Sequence, residues 1–169
     1  LEHVVSMHAH AEAEVTGEAE SGLSSIRADR EQLTQVLVNI VQNAIFLAHA
    51  LGNPQPKVAI LSATESVNPK IQSTLDAAAL CKMADRGQIT GALLDGPLAL
   101  DNAVNLAAAQ IKQIQSPVAG WADILVAPHL EAANMLAKSL SFLADAEAAG
   151  IVLGARVPIT LTSRSDSLE

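Results

Sequence analysis

The chain has very few aromatic residues. Among 169 residues there are two Phe, one Trp and no Tyr, although half of the residues are hydrophobic. A core must therefore be built from Ala, Val, Leu and Ile, a mixture that suits helices packed on a sheet. The length allows one domain with a sizeable core and is too short for two ordinary domains, so one compact unit is expected.

Basic residues and cysteine are also scarce. The ten Lys and Arg are outnumbered by 18 Asp and Glu, giving a net charge of -8, and they occur singly. This argues against nucleic-acid binding, which needs a concentrated basic face. Cys81 has no second cysteine to pair with, which favours a reducing cytoplasmic setting. No apolar run approaches 18 residues and no signal peptide is recognisable, so we expect a soluble protein without a membrane partner.

Short apolar runs recur regularly from Lys57 onward and alternate with Ala- and Leu-rich segments. The runs are KVAILSA, ITGALLDG, ADILVAP, AGIVLGA and VPITLTS. They are continuously apolar, as expected where helices cover both faces of a parallel sheet. The pattern predicts an α/β fold with a mainly parallel sheet that contains all five runs. Asp101 is predicted to cap the helix that follows the second run.

The first 28 residues are different in character, being acidic and rich in His and Ala. The stretches AEVTGEAESG and SSIRAD are predicted to form two short strands of a small α+β segment. A continuous helix is then predicted from Asp29 to Ala50, closed by Gly52. The cluster of His3, His8 and His10 is interpreted as surface rather than as a zinc site, and no metal is predicted.

The stretch IRADREQLTQVLVNIVQNAI resembles the beginning of a sensor histidine kinase ATP-binding domain. In that family a helix carries two Asn residues four apart, here Asn39 and Asn43, and the second helps to hold the magnesium of ATP. No Asp-x-Gly-x-Gly box and no Gly-rich lid follow. The resemblance covers about residues 1–45 and implies shared ancestry of a segment rather than kinase activity.

From about residue 41 to the end, the chain resembles the later part of the phosphate acetyl- and butyryltransferases. The stretches that carry the resemblance include NAIFLAHALG, KVAILSATESVNP, QITGALLDGPLALDNA and SPVAGWADILVAPHLEAANMLAKSL. It implies transfer of an acyl group between coenzyme A and phosphate, with coenzyme A as a substrate and no cofactor. It also implies two α/β lobes around a cleft and paired subunits. Because the two resemblances meet at Val38 to Gly52, the chain looks like a chimera of segments 1–45 and 41–169.

Ser163 and Arg164, in LTSRSD after the last predicted strand, are the candidates for catalysis. A guanidinium can bind phosphate through two hydrogen bonds, and a neighbouring hydroxyl can donate to a thioester or phosphate oxygen. The Ser-Arg pair of the transferase family matches these two positions. The alternative is a polar strand end without a chemical role.

Asp95, Gly96 and Pro97 are candidates for substrate binding. They are predicted to follow a strand at the ligand-binding edge of the sheet, with a tight Gly-Pro turn. Asp95 and Asp101 could equally have structural roles. Three further binding candidates follow the first strand of this sheet: Ser62, Glu65 and Asn68. Two more, Asn134 and Lys138, are four residues apart and so share one helix face. For Lys138 the alternative is a solvent-facing position without a binding role.

Three functions remain open from the sequence. The first is a phosphate acyltransferase, or a weakly active remnant, acting on acyl-CoA and phosphate or acyl phosphate. The second is a non-catalytic chimera that folds and oligomerises, and the third is an ATP-binding module. A homodimer or larger assembly is expected, because a truncated lobe leaves apolar helix faces and a sheet edge uncovered.

Overall fold

The computed structural model describes residues 5–7, 30–153 and 159–161. The chain divides into two compact units, Leu1–Ala133 and Asn134–Glu169, where the length had led us to expect one. The division of the sequence at residues 41–45 stays a prediction. The elements are β1 Val5–Met7, α1 Arg30–Ala50, β2 Lys57–Leu61, α2 Gln72–Asp85, β3 Leu93–Leu98, α3 Leu100–Val104, α4 Leu106–Ile111, β4 Ile124–Val126, α5 Leu130–Leu143, β5 Gly150–Val152 and β6 Ile159–Leu161.

A four-stranded parallel sheet in the order β1-β4-β2-β3 forms the centre of the first unit. Val58 of β2 lies between Leu94 of β3 and Ile124 of β4. The last four residues of β2 and all of β4 are buried, as their continuous apolar runs predict. The predicted mainly parallel α/β fold is confirmed.

Helix α1 runs without a break from Arg30 to Ala50, so the predicted continuity through residue 41 is confirmed. The predicted first residue, Asp29, lies outside the described residues, as do the predicted strands in residues 13–22 and 24–29 and the three amino-terminal histidines. The buried side chains of α1 recur at spacings of three and four, which places them on one face toward the core: Val38, Val41, Ala44, Ile45 and Ala48.

Polar side chains hold α1 to the segment that precedes β3. The Gln42 amide donates to the Thr90 carbonyl at 3.1 Å and accepts from the Thr90 N–H at 3.4 Å. About two turns further along α1, the His49 ring lies 2.8 Å from the Gly91 carbonyl oxygen. These contacts fix the position of α1 along its own axis relative to the segment before β3, which apolar packing alone would fix less precisely.

The last two apolar runs do not join the parallel sheet. β5 and β6 pair antiparallel with each other in a separate two-stranded sheet, in which Gly150 lies opposite Leu161. The prediction of one sheet containing all five runs is therefore wrong for this pair. The reason is the short connection of residues 153–158, since parallel neighbours need a crossover of about a dozen residues.

The predicted helix from Asp101 is also different in the structure, because it is broken into two short helices. Asn105 adopts an extended conformation and its Oδ1 accepts from Ala107 N at 2.9 Å and Ala108 N at 3.2 Å, capping α4. Asp101 lies inside α3, whose N-cap is Ala99. The Asn105 side chain competes for backbone donors and ends the first helix.

Gly120 allows the segment before β4 to pass close to α4. Its φ is +82°, and a Cβ placed there would lie 2.5 Å from Leu106 Cα and 2.8 Å from Leu106 N. Gly87 has a similar φ of +74° but open space around it. Substitution of Gly87 therefore tests the cost of a positive φ alone, whereas substitution of Gly120 also tests the cost of crowding against the Leu106 backbone.

We expect Gly87→Ala to lower the free energy of unfolding by about 1 kcal/mol, the cost of a left-handed alanine. Gly120→Ala should carry the same cost and a further ~1–3 kcal/mol, because rigid backbone must move to admit the methyl group. Urea denaturation of both variants measures the difference. Equal losses would show that the approach to Leu106 is not tight in solution.

Candidate functional site

The loop that follows β2 begins with Ser62, as the sequence predicts. The Ser62 N–H donates to the Leu98 carbonyl at 2.9 Å, which extends the pairing of β2 with β3 by one residue. Its Oγ lies 2.8 Å from Oγ of Ser73, in the first turn of α2. Ser62 therefore joins the carboxyl end of β2 to both the next strand and the next helix.

The far end of the same loop is organised by Thr74. This side chain is fully buried, and its Oγ1 accepts from Asn68 N at 2.9 Å. The hydroxyl can donate to the carbonyl of Asn68 at 2.9 Å or of Ile71 at 2.8 Å. Oδ1 of Asn68 accepts from Lys70 N at 3.0 Å. Asn68, a predicted binding residue, is thus a structural part of the loop.

Asp95, Gly96 and Pro97 lie within β3 rather than in a turn after it, which corrects the sequence prediction. Ala59 pairs with Asp95 and Leu61 with Leu98, so β3 has one residue more than β2 between these pairs, a β-bulge. Pro97 donates no hydrogen bond, and β3, which pairs only with β2 in the described sheet, can accommodate it at this irregularity. The Gly-Pro sequence thus bulges the strand without ending it.

Gly96 brings β3 close to β2 at the bulge. A Cβ at this position would lie 2.7 Å from the carbonyl oxygen of Ile60, so a larger residue would push the strands apart. Oδ1 of Asp95 accepts from the Gly96 N–H at 2.8 Å. The Asp95 carboxylate therefore accepts a hydrogen bond from the Gly96 N–H at the bulge, where the regular pairing of β3 with β2 is interrupted.

Lys112 binds two carboxylates beside this edge of the sheet. Its Nζ lies 3.5 Å from Oε2 of Glu65 and 3.1 Å from Oδ2 of Asp101. The hydrogen bond from Lys112 lowers the pKa of Asp101, and the same bond raises the pKa of Lys112. The lysine links the loop after β2 to α3 and to the end of α4. Sequence reasoning did not find Lys112, because 47 residues separate it from Glu65 and no local spacing connects them.

Asn134 and Lys138 belong to the second unit, on α5, where they are exposed and four residues apart. The Nζ of Lys138 lies 5.7 Å from the centre of the Phe142 ring, a cation–π contact within the same helix. Ser163 and Arg164 lie outside the described residues. The described residues bring Ser62, Glu65 and Asn68 together in one loop, beside β3 with its bulge. The functional roles of all these candidates stay predictions.

Cys81 lies on α2, partly buried against the core, and its thiol donates to the Gly96 carbonyl oxygen at 3.6 Å. Burial, and to a lesser extent the negative charges of Asp95 and Asp85, raise the pKa of this thiol from 9.0 to about 12. A thiol with this pKa is a poor nucleophile at neutral pH. Cys81 is therefore a small residue packed against the core rather than a candidate nucleophile.

In residues 30–153 and the short described strands, no three His, Cys, Asp or Glu side chains are grouped as metal ligands. Within that same part of the chain, no helix has the length and hydropathy that crossing a membrane requires.

Ser62, Glu65 and Asn68 follow the carboxyl end of a central parallel strand, the position at which open α/β sheets bind ligands. The phosphate acetyl/butaryl transferase family matches residues 30–169, and the chain belongs to this family. The matched region includes all of α1, so it begins before residue 41, where the resemblance was first placed.

Named relatives agree with this assignment. The chain is 68% identical to a phosphate acetyltransferase of Rhizobium meliloti over 130 residues, which are 77% of this chain and 41% of that protein. It is 53% identical to a probable phosphate butyryltransferase of Bacillus subtilis over 145 residues, which are 86% of this chain and 47% of the relative. The chain thus spans less than half the length of these relatives.

The fold agrees with a solved structure of the same kind. A branched-chain phosphotransacylase from Enterococcus faecalis superimposes with a TM-score of 0.72 at 41% identity. The superposition covers 79% of this chain and 48% of the other.

We expect Cys81 in the folded protein to react about a thousandfold more slowly with iodoacetamide at about pH 8 than in the unfolded chain, because three pKa units separate the two thiols. Mass spectrometry of timed samples with and without urea measures both rates. Only the unfolded thiol ionises between pH 9.0 and about 12, so stability should fall as the pH rises through this range. Equal alkylation rates would contradict the burial of this thiol.

Proposed function

We propose that this chain is part of a phosphate acyltransferase, which converts acyl-CoA and phosphate into acyl phosphate and coenzyme A. The family match over residues 30–169 carries the proposal. Support comes from the relatives' names, which divide between acetyl and butyryl transfer, so the acyl group is proposed only as a short chain.

The proposed reaction needs no redox partner. A phosphate oxygen attacks the carbonyl carbon of the thioester, and the C–S bond breaks as the new C–O bond forms. The proton of the attacking phosphate balances the leaving thiolate as the thiol of coenzyme A. In the reverse direction the thiol attacks the acyl phosphate and phosphate leaves.

Arg164 and Ser163 are proposed to act on this reaction. A guanidinium would hold the phosphate through two charge-assisted hydrogen bonds, and the Ser163 hydroxyl would donate to the carbonyl oxygen as its negative charge grows. The support for both is their match to the family's Ser-Arg pair.

The binding role of the sheet edge is proposed on its geometry. The loop of Ser62, Glu65 and Asn68 follows a central parallel strand, where α/β proteins bind ligands. At the bulge of β3, the backbone of Gly96 lies close to the backbone of Ile60 in β2. Asp95 and Glu65 are both engaged with donors within the protein, so we propose that they shape the edge. For Asn134 and Lys138, on the second unit, contact with phosphate groups is proposed from the family resemblance of their sequence.

The amino-terminal segment is proposed to have a separate, kinase-like ancestry, which would make the chain a chimera. Its support is the sequence resemblance over about residues 1–45, which ends in helix α1 with Asn39 and Asn43 one turn apart. The nucleotide-binding boxes of that family do not follow in the sequence, so ATP binding is the weakest of the three functions. A cytoplasmic location is proposed from the single cysteine and the acyl-CoA substrate.

We also propose that the chain forms a homodimer or a larger assembly. Phe46 on α1 is 70% exposed, and in the second unit Met135 and Phe142 on α5 are 64% and 67% exposed. Large apolar side chains in such numbers are characteristic of surfaces that a partner covers. Sedimentation velocity at micromolar concentration should give at least twice the monomer mass, and Phe46→Glu tests the contribution of α1. A stable monomer would contradict the proposal.

For activity, we expect acyl transfer from acetyl or butyryl phosphate to coenzyme A to depend on Arg164. Each charge-assisted contact to phosphate contributes on the order of 1.5 to 3 kcal/mol, so removing both hydrogen bonds of the Arg164 guanidinium costs roughly a hundredfold or more in rate. Any turnover should vanish in Arg164→Ala and persist in Arg86→Ala, an exposed arginine at the end of α2. A thiol-release assay measures the rates.

Calorimetry separates the three functions even if turnover is absent. Binding of coenzyme A without binding of magnesium-ATP would support the transferase. Binding of magnesium-ATP alone would support the kinase-like module, and binding of neither would leave the non-catalytic chimera. Robust turnover that survives Arg164→Ala would place the site elsewhere.

A further inference from the structure

Asn102, on α3, is a polar residue in a position that is closed to solvent. Its side chain is 0% exposed, and neither Nδ2 nor Oδ1 has a hydrogen-bond partner among the described residues. Thr74 is equally buried but has its Oγ1 bonded to the backbone of the loop after β2. Complete burial alone therefore does not prevent pairing in this core.

An unpaired amide of this kind is strongly disfavoured. Folding removes water from a donor and an acceptor, and the loss is recovered only if each finds a new partner. Buried polar side chains in native proteins are accordingly bonded to protein or to ordered water. Asn102 is an exception that requires a partner.

The main chain around Asn102 already has its partners. The Asn102 carbonyl accepts from Gly120 N at 2.8 Å, and the Ala103 carbonyl accepts from Ala122 N at 3.2 Å. The segment that reaches α3 through these bonds contributes Val118 and Ala119, both buried and apolar. These bonds hold the backbone of α3 against the approach to β4 and leave the amide of the side chain to be satisfied by another group.

We propose that Asn102 binds an internal water molecule within the first unit. A primary amide presents a C=O and an N–H side by side, so one water can donate to Oδ1 and accept from Nδ2. Such waters typically make about three hydrogen bonds to buried polar groups and are costly to remove. The water would be a structural part of the connection between α3 and the segment before β4. This inference does not depend on the proposed acyl transfer.

A crystal structure of the whole chain, at a resolution that shows ordered water, tests the proposal directly. We expect a water within hydrogen-bond distance of both Oδ1 and Nδ2 of Asn102. Density in which protein atoms bond both amide atoms would overturn the inference, and so would an amide with no neighbour within that distance.

Thermal denaturation gives an independent test through Asn102→Leu, which keeps the number of side-chain heavy atoms but removes the donor and the acceptor. If the amide holds a water, the variant loses those hydrogen bonds and should melt lower, by on the order of 3 °C or more. If the amide were unpaired, the leucine would remove a buried penalty and the variant would melt higher, which would overturn the proposal. Thr74→Val is the matched control, and it should melt lower because the pairing of Thr74 is already seen.

Discussion

The complete burial of β2 is the constraint from which the rest of the first unit follows. Val58 and Ala59 are 0% exposed, and β2 has β3 on one side and β4 on the other. Every backbone N–H and C=O of such a strand must be paired within the sheet, because water does not reach it. Both faces of the strand must also be covered by apolar groups, and the buried side chains of α1 and α2 form one cluster with Val58 and Ile60, which share one face of β2.

The same constraint determines where polar groups can gather. A strand buried along its length can change direction only at its ends, so the loop after Leu61 is the first place where polar side chains can be accommodated. Ser62 and Thr74 use this loop to bond to β3 and α2, and Glu65 reaches Lys112. The arrangement ties the loop after β2 to β3, to α2 and to Lys112 at the end of α4.

Family membership and local structure contribute different parts of the functional argument. The match over residues 30–169 concerns the kind of protein, whereas the described geometry concerns only some of its candidate residues. The loop after β2 and the bulged strand β3 lie together at one sheet edge, while Asn134 and Lys138 lie on a helix of the second unit. A chemical role for the Ser-Arg pair rests on its sequence, since these residues lie outside the described structure.

The sequence by itself determined the properties that depend on neighbouring residues. Continuous apolar runs predicted β2 and β4, and apolar periodicity closed by Gly52 predicted α1. Two local features only became evident in the structure: the short connection between β5 and β6 made them antiparallel, and Asn105 ended α3 by capping α4. Lys112 joined Glu65 across 47 residues, and the bulge of β3 moved Asp95 into the strand, because both depend on which segments the fold brings side by side. Periodicity records which face of an element is buried, whereas only the packed chain decides what that face meets.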